Sequence, residues 1–380
     1  MTHRERILAA LKHKVPDRVP LDLGATGATT MTVKAHERLR AHLGLPSEPS
    51  PVFFSTRSTT VVPDEVILRR FDVDARPLRL GTALGRPERK LSEDRLMDEW
   101  GVTWARHAGT HYINSDGPFC HLADPTLQDL EKFDWPDPAD SGRFQGLRER
   151  AKKLHEETDY AVILNFNVGP VHQCQYVRGY ATWLEDLLLR PVFAEALIDR
   201  VADIFIQIAN RALEEAGEYV DLVMYGDDIA TQNATLFRPD LYRRMIKPRH
   251  KAIANAIKRH GKPIIYHSCG SVYALIRDLI EVGIDALNPV QVSAADMGTE
   301  RLKREYGREL TFWGGIDTHR VLPTGTPAEV REEVKRRIDH LHGNGGYVLC
   351  GVHNLQPEVP PENIVAMYEA ALEYGRIPPA

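Results

Sequence analysis

Cysteine is scarce in this chain. Cys120, Cys174, Cys269 and Cys350 are the only four in 380 residues, far too few for a disulfide-built scaffold. They read as free thiols or metal ligands in a reducing compartment. Long hydrophobic runs are also missing: no apolar stretch approaches the roughly 18 residues that a membrane helix needs, so no membrane association is expected. The opening MTHRERILAALKHK is polar and helical in pattern, without the apolar core of a signal peptide. The expected location is therefore cytoplasmic. Positive charge is not in surplus either. Lys plus Arg is 48 against 53 Asp plus Glu, a net charge of -5. That excludes a nucleic-acid binder working through a strong positive field, but not a small anionic ligand held by a local arginine. Internal repeats and low-complexity tracts are absent.

What is present is a regular alternation. Eight short runs rich in Val, Ile and aromatics are bounded by Gly, Pro, Asp or Asn: 19–23, 73–80, 160–168, 219–225, 262–267, 284–288, 310–313 and 346–350. Amphipathic helical patterns separate them. The clearest runs from Phe193 to Ala216, with Leu197, Ile198, Val201, Ile204, Ile208 and Ala212 on one stripe. Others cover 239–260, 272–282, 328–342 and 363–374, with Ser271 and Pro327 as starting signals. Eight strands in βα alternation predict an α/β fold, a (β/α)8 TIM barrel occupying residues 1–380 as one domain. The surplus over a typical barrel falls between Gly81 and Asp140 and reads as a β-rich insertion with a Pro-rich return.

Barrels of this kind carry their working residues at the C-terminal ends of the strands. Asn165, Asn167 and His172 follow the third run, and Asp227 and Asp228 the fourth. His267 and Cys269 end the fifth, and Asn288 and Gln291 follow the sixth. Asp317 and His319 follow the seventh, and Cys350, His353 and Asn354 the eighth. The His267-x-Cys269 pair places an imidazole and a thiol on one side of extended backbone. Cys350 comes 81 residues later, at another strand end on the same rim. Together they suit a catalytic Cys2His zinc site with one open position. Buried cysteines and satisfied histidines are the commoner alternative. Asp227 and Asp228 are candidate catalytic residues, for holding a ligand or orienting a metal-bound histidine; as plain structure they would cap a helix or a turn, as would Asp317. Asn165, Tyr225 and Asp317 are candidate substrate contacts. His172 and His353 carry no distinguishing signal.

These motifs resemble the uroporphyrinogen decarboxylase superfamily, and within it the zinc-dependent corrinoid methyltransferases. The likeness runs through RERILAALKHKVPDRVPLDL, DEWGVTW, FDWPDP, GDDIATQ, FRPDLYRRMIKPRHKAI, YHSCGSV, GIDALNPVQ, GGIDT and CGVHNLQPEVPPENIVAMYEAA. YHSCG followed much later by LCG is the most discriminating part. The resemblance implies that His267, Cys269 and Cys350 bind Zn2+. It also implies that a separate corrinoid (cobalamin) protein is the partner. No D-x-H-x-x-G signature of a corrinoid-binding segment occurs; the nearest string is Asp317-Thr318-His319, which runs on into Arg320 and Val321.

Decarboxylases of the superfamily carry an Arg-rich clamp after the first strand. Here no arginine lies between Arg18 and Arg38, so tetrapyrrole decarboxylation is the lesser expectation. The preferred one is methyl transfer from a methoxylated aromatic or similar small-molecule donor to a Co(I) corrinoid protein. Trp100, Trp104, Tyr112 and Phe119 of the insertion are candidates to cover an aryl ring. Transfer from a methylcorrinoid to a thiol, and a non-catalytic zinc or tetrapyrrole carrier, are the alternatives. A homodimer is among the assemblies open to the chain.

Overall fold

Seven of the β-rich runs pair side by side as parallel strands in chain order. They are Ala75–Arg79, Ala161–Asn165, Leu222–Gly226, Ile264–His267, Ala286–Asn288, Thr311–Ile316 and Tyr347–Gly351. The first run closes the ring. Leu21 pairs in parallel with Leu349, and on the other side the Asp74 N–H donates to the Leu21 carbonyl at 2.9 Å. The expected TIM barrel is therefore present, with its strands in the expected order. The computed structural model describes residues 1–47, 51–107, 110–166 and 168–376; Asn167, expected at the rim, lies outside them. Among the described residues no helix is long and apolar enough to cross a membrane.

Strand alternation sorts the side chains. Ala75, Ala161, Ile163, Leu222, Met224, Ile265, Ala286, Trp313, Val348 and Cys350 form the barrel's inner cluster. Their alternates, such as Val162, Leu164, Val223, Tyr225, Tyr266, Leu287 and Leu349, pack outward against the helices. Ile7 and Ala10 of the first helix, His3–Leu11, join the inner cluster and plug one end of the barrel. Thr2 and Glu5 start that helix by a reciprocal capping box.

Asp22 is fully buried. It accepts from the Trp313 indole N–H at 2.8 Å and from the Ala25 N–H at 2.9 Å. Burial pushes its carboxyl up to about 6 despite these donors.

The insertion is an antiparallel meander of Arg89–Ser92, Arg95–Met97, Thr103–Ala105 and Ile113–Asp116, as expected from its composition. It returns through a short helix, Leu127–Lys132. A second small antiparallel sheet, of Met31–Thr32, Phe53–Ser55 and Thr60–Val61, was not expected. The long helix spans Pro191–Ala216, beginning at a proline suited to the first helical turn. The segment expected as one helix over 239–260 contains a π-helical turn, Tyr242–Ile246, ahead of Lys247–Lys258. Pro248 has no N–H to continue the regular ladder through this point.

The mouth depends on the ends of three adjacent strands lying at one height. Gly226 is level with His267, and His267 with Asn288. A Cβ on Gly226 would lie 2.6 Å from the His267 Cβ and closer still to its carbonyl oxygen. Gly226→Ala should therefore cost about 1–3 kcal/mol through overpacking, read as a lowered urea midpoint; an unchanged midpoint would mean that the two strand ends can part freely.

A second expectation concerns Asp22. Its folded carboxyl titrates near 6 against 3.8 for the ordinary group. Between these values the folded state holds the extra proton, so this group's contribution falls as pH rises. Relative to Asp22→Asn, the parent should lose roughly 2–3 kcal/mol between pH 4 and pH 7. Urea titrations of both proteins across that range test it, and parallel curves would refute it.

Candidate functional site

His267 ends the fifth strand, two residues beyond the inward-facing Ile265. Its Nδ1 lies 2.7 Å from Asn288 Oδ1. The Asn288 amide nitrogen donates to the Trp313 carbonyl at 3.2 Å, which makes the Asn288 oxygen the acceptor toward His267. Nδ1 therefore carries the proton, and Nε2 presents a lone pair. That nitrogen is 3.5 Å from Cys269 Sγ.

Cys269 is held from both sides. Its N–H donates to Asp228 Oδ1 at 2.8 Å. The next residue, Gly270, has a φ of 92° and donates its N–H to Gln291 Oε1 at 2.6 Å. A Cβ at Gly270 would press on the backbone of Ala230 and Thr231, so glycine is required at this turn.

His353, beyond the end of the eighth strand, completes a group. One donor atom each of His267, Cys269 and His353 lies within 4.8 Å of the others. The two imidazole rings meet edge to face at 5.7 Å. Cys350 lies three residues earlier, fully buried in the inner cluster of the barrel and outside that group. Burial, joined by the charge of Asp22, raises the Cys350 thiol well above its usual value. Burial and then Asp228 raise that of Cys269. Burial lowers His267, and lowers His353 to about 4. The donor set is thus neutral imidazoles and protonated thiols. A divalent cation suits it, because coordination is what stabilises a thiolate in such surroundings.

Asp227 is fully buried, and all its bonds are internal. Oδ2 and Oδ1 accept the N–H groups of Val171 and His172 at 3.1 and 2.8 Å, capping the helix Pro170–Arg178 from another segment. Oδ2 also meets His250 Nε2 at 2.9 Å, and His250 Nδ1 meets the Tyr242 hydroxyl at 3.2 Å. The capping reading of Asp227 thus describes its contacts. Asp228 differs: its side chain is 40% exposed at the rim. Its oxygens lie 3.6 Å from His172 Nε2 and 3.9 Å from His267 Nε2. His172 sits between the two carboxylates. Burial opposes its charge, but the bonds to Asp227 and Asp228 outweigh burial and raise its pKa well above the usual value. Sequence reasoning passed over His172 because its two partners come from a different strand end.

The remaining candidates fall differently. Asn165 faces the lumen; its amide donates to the Ala25 and Ile163 carbonyls at 3.0 Å each, and among the described residues its buried Oδ1 has no partner. Tyr225 does not reach the rim. Met224 faces inward, so alternation turns Tyr225 outward, where its hydroxyl donates to the His250 carbonyl at 3.4 Å. Asp317 accepts the N–H groups of His319 and Arg320 at 2.7 and 3.2 Å, the turn-forming role that aspartate favours.

The insertion's aromatics are mostly spent on packing among themselves and against the long helix. Trp100 packs with Trp135 and Phe205, and Phe119 with Phe133, Trp135 and Phe193. The Tyr112 hydroxyl donates to the Glu93 carbonyl at 3.4 Å. Trp104 alone of the four leads toward the site, through Tyr176, whose ring is 5.9 Å from that of His172. Cys174 is fully buried as an ordinary core residue, and Cys120 is half-buried.

Comparison with known proteins agrees with this architecture. A methylcobamide:CoM methyltransferase of Methanosarcina acetivorans is 21% identical over 376 residues, 98% of each chain. A uroporphyrinogen decarboxylase of Geobacter metallireducens is 23% identical over 261 residues, covering 67% of this chain and 72% of its own. Among solved structures, a methyltransferase from Methanosarcina mazei superposes with a TM-score of 0.67 at 19% identity, covering 98% of this chain and 99% of its own. That likeness bears on the fold. The uroporphyrinogen decarboxylase (URO-D) family profile matches residues 102–374, most of the barrel and all of the site from Asn165 to His353, and the chain belongs to this family.

Proposed function

We propose that this chain is a zinc-dependent methyltransferase that moves a methyl group from a methoxylated aromatic, or a similar donor, to a Co(I) corrinoid carried by a separate protein. The observation that carries the reading is the His267–Cys269 pair, with the imidazole tautomer set by Asn288 and Nε2 turned to the thiol. The relative matched over nearly its whole length is named for methyl transfer involving a methylcobamide, and that supports the corrinoid. His267, Cys269 and Cys350 would hold the metal. When bound, zinc supplies Lewis acidity at the methyl-bearing oxygen, and the corrinoid supplies the nucleophile.

The protein's own groups then have definite tasks. Asn288 keeps the His267 lone pair available. Asp228 anchors the Cys269 backbone. His172, whose ring lies between the carboxylates of Asp227 and Asp228 and whose pKa they raise, would be the proton donor for a departing phenolate. Asp227 is a positioning residue, since it touches His172 and His250 and is itself fully buried. The aromatics of the insertion lend no support to the aryl donor. The choice of donor rests on the metal chemistry alone.

A second reading runs the transfer from a methylcorrinoid to a thiol. It is favoured by the name of that same relative, a CoM methyltransferase. The two are separated by following cobalt spectra. Demethylation of the donor converts reduced cobalamin to methylcobalamin in the presence of a methoxyarene; the thiol reaction consumes methylcobalamin instead.

Zinc should be present at about one per chain and be lost in His267→Ala and Cys350→Ser, as read by elemental analysis. Cys269→Ala should slow methyl transfer by roughly a hundredfold or more, since Lewis-acid assistance contributes several kcal/mol. Full zinc retention in both ligand variants, or an unimpaired Cys269→Ala, would sink the proposal.

Decarboxylation of uroporphyrinogen should be negligible. The stretch where an arginine clamp is expected folds on itself: the Thr26 N–H donates to Thr29 Oγ1 at 3.1 Å, and Thr26, Thr29, Thr30 and Thr32 are all buried. Turnover of that substrate at an ordinary enzymatic rate would overturn this expectation.

A further inference from the structure

The imidazole of His353 stands out among the groups at the mouth. It lies mostly inside the protein, yet among the described residues neither ring nitrogen has a hydrogen-bond partner; its one ring contact is with His267. The other rim histidines are committed. His267 Nδ1 is held by Asn288, His172 by two carboxylates, and His319 Nδ1 by the Ser293 hydroxyl at 2.9 Å. A half-buried imidazole with no protein partner keeps its acceptor nitrogen open to an incoming ligand. Facing it are His267 and Cys269, and one donor atom of each of the three residues lies within 4.8 Å of the others. Ligands of one tetrahedral zinc stand roughly 3.3–3.8 Å apart, given bonds of about 2.0 Å to nitrogen and 2.3 Å to sulfur. Small side-chain rotations therefore bring the three donors onto one ion.

The path of the chain gives the position a meaning. Cys350 belongs to the eighth strand and points into the packed lumen, whereas His353 follows the strand's end in a loop at the rim. The strand donor is fixed by the ladder to its neighbour, Gly315 level with Cys350. His353 has no such restraint on its ring. With His267, Cys269 and Cys350 as the stable ligands, a fourth protein donor closes the coordination shell, and a shell closed by protein is inert until one donor leaves.

We infer that His353 is the fourth ligand of the resting metal site and the one that yields its position to the methyl donor. This rests on the zinc reading given above. It gives the loop after the eighth strand a role in holding the site shut against water and adventitious thiols until the donor arrives.

X-ray absorption at the zinc edge of the unaltered protein tests the inference without any mutation. Two imidazoles and two sulfurs in the first shell are expected. His353→Ala and His353→Gln should then show one imidazole fewer and release zinc to a competing chelator about tenfold faster or more. Zinc bound by a single imidazole, with release unchanged in both variants, overturns the role of His353 and leaves the zinc reading standing. Absence of zinc from the reconstituted wild-type protein overturns both.

Discussion

The row formed by Gly226, His267 and Asn288 sets the geometry of the mouth. Parallel pairing puts these three residues, from three successive strands, at one level. A slip of one residue would turn His267 toward the helices and carry its lone pair out of the lumen. Glycine in the fourth strand lets the fifth approach, and asparagine in the sixth supplies the acceptor that chooses the imidazole tautomer. The catalytic chemistry proposed here depends on that choice, because a proton on Nε2 would leave no lone pair to face Cys269.

Beneath the rim, a chain of buried polar groups keeps the row in place. Tyr242, His250, Asp227 and His172 are linked from the helical layer to the mouth. In a dry interior such a string is stable only when each member has a partner. Asp227 meets this demand with two backbone N–H groups and two imidazoles. The π-helical turn containing Tyr242, ahead of Pro248, lies in the segment that carries both Tyr242 and His250. Helix packing and site geometry are coupled through it.

Much of the fold was legible in the sequence. The eight apolar runs were short, β-rich and separated by helical patterns, so the barrel and the order of its strands could be read directly. The small sheet of Met31–Thr32, Phe53–Ser55 and Thr60–Val61 could not. Strands of two or three residues leave no alternation to detect. At the site, His267 and Cys269 were legible because residues two apart share a side. Tyr225 was a candidate substrate contact near a strand end, but Met224, its neighbour, takes the inward position. His353 and His172 gave no signal because their neighbours come from other strands, and only the closed barrel brings those together. The aromatics of the insertion looked like a ligand cover, but an exposed polar meander needs its own apolar packing, and they supply it.

That meander has a consequence for how the molecule can be dissected. Its packing is shared: Phe205, which stacks against Trp100, Phe193, which meets Phe119 edge to face, and Arg200, which lies over Trp135, all belong to the long helix of the barrel. Arg178, fully buried against Asp186, donates to the Phe119 carbonyl at 2.6 Å and the Leu122 carbonyl at 2.8 Å. Excising the insertion would strip an apolar face and leave a charged pair without its acceptors. The insertion is therefore no detachable module, and a minimal barrel obtained by trimming it would need a redesigned helix surface before it could stay in solution.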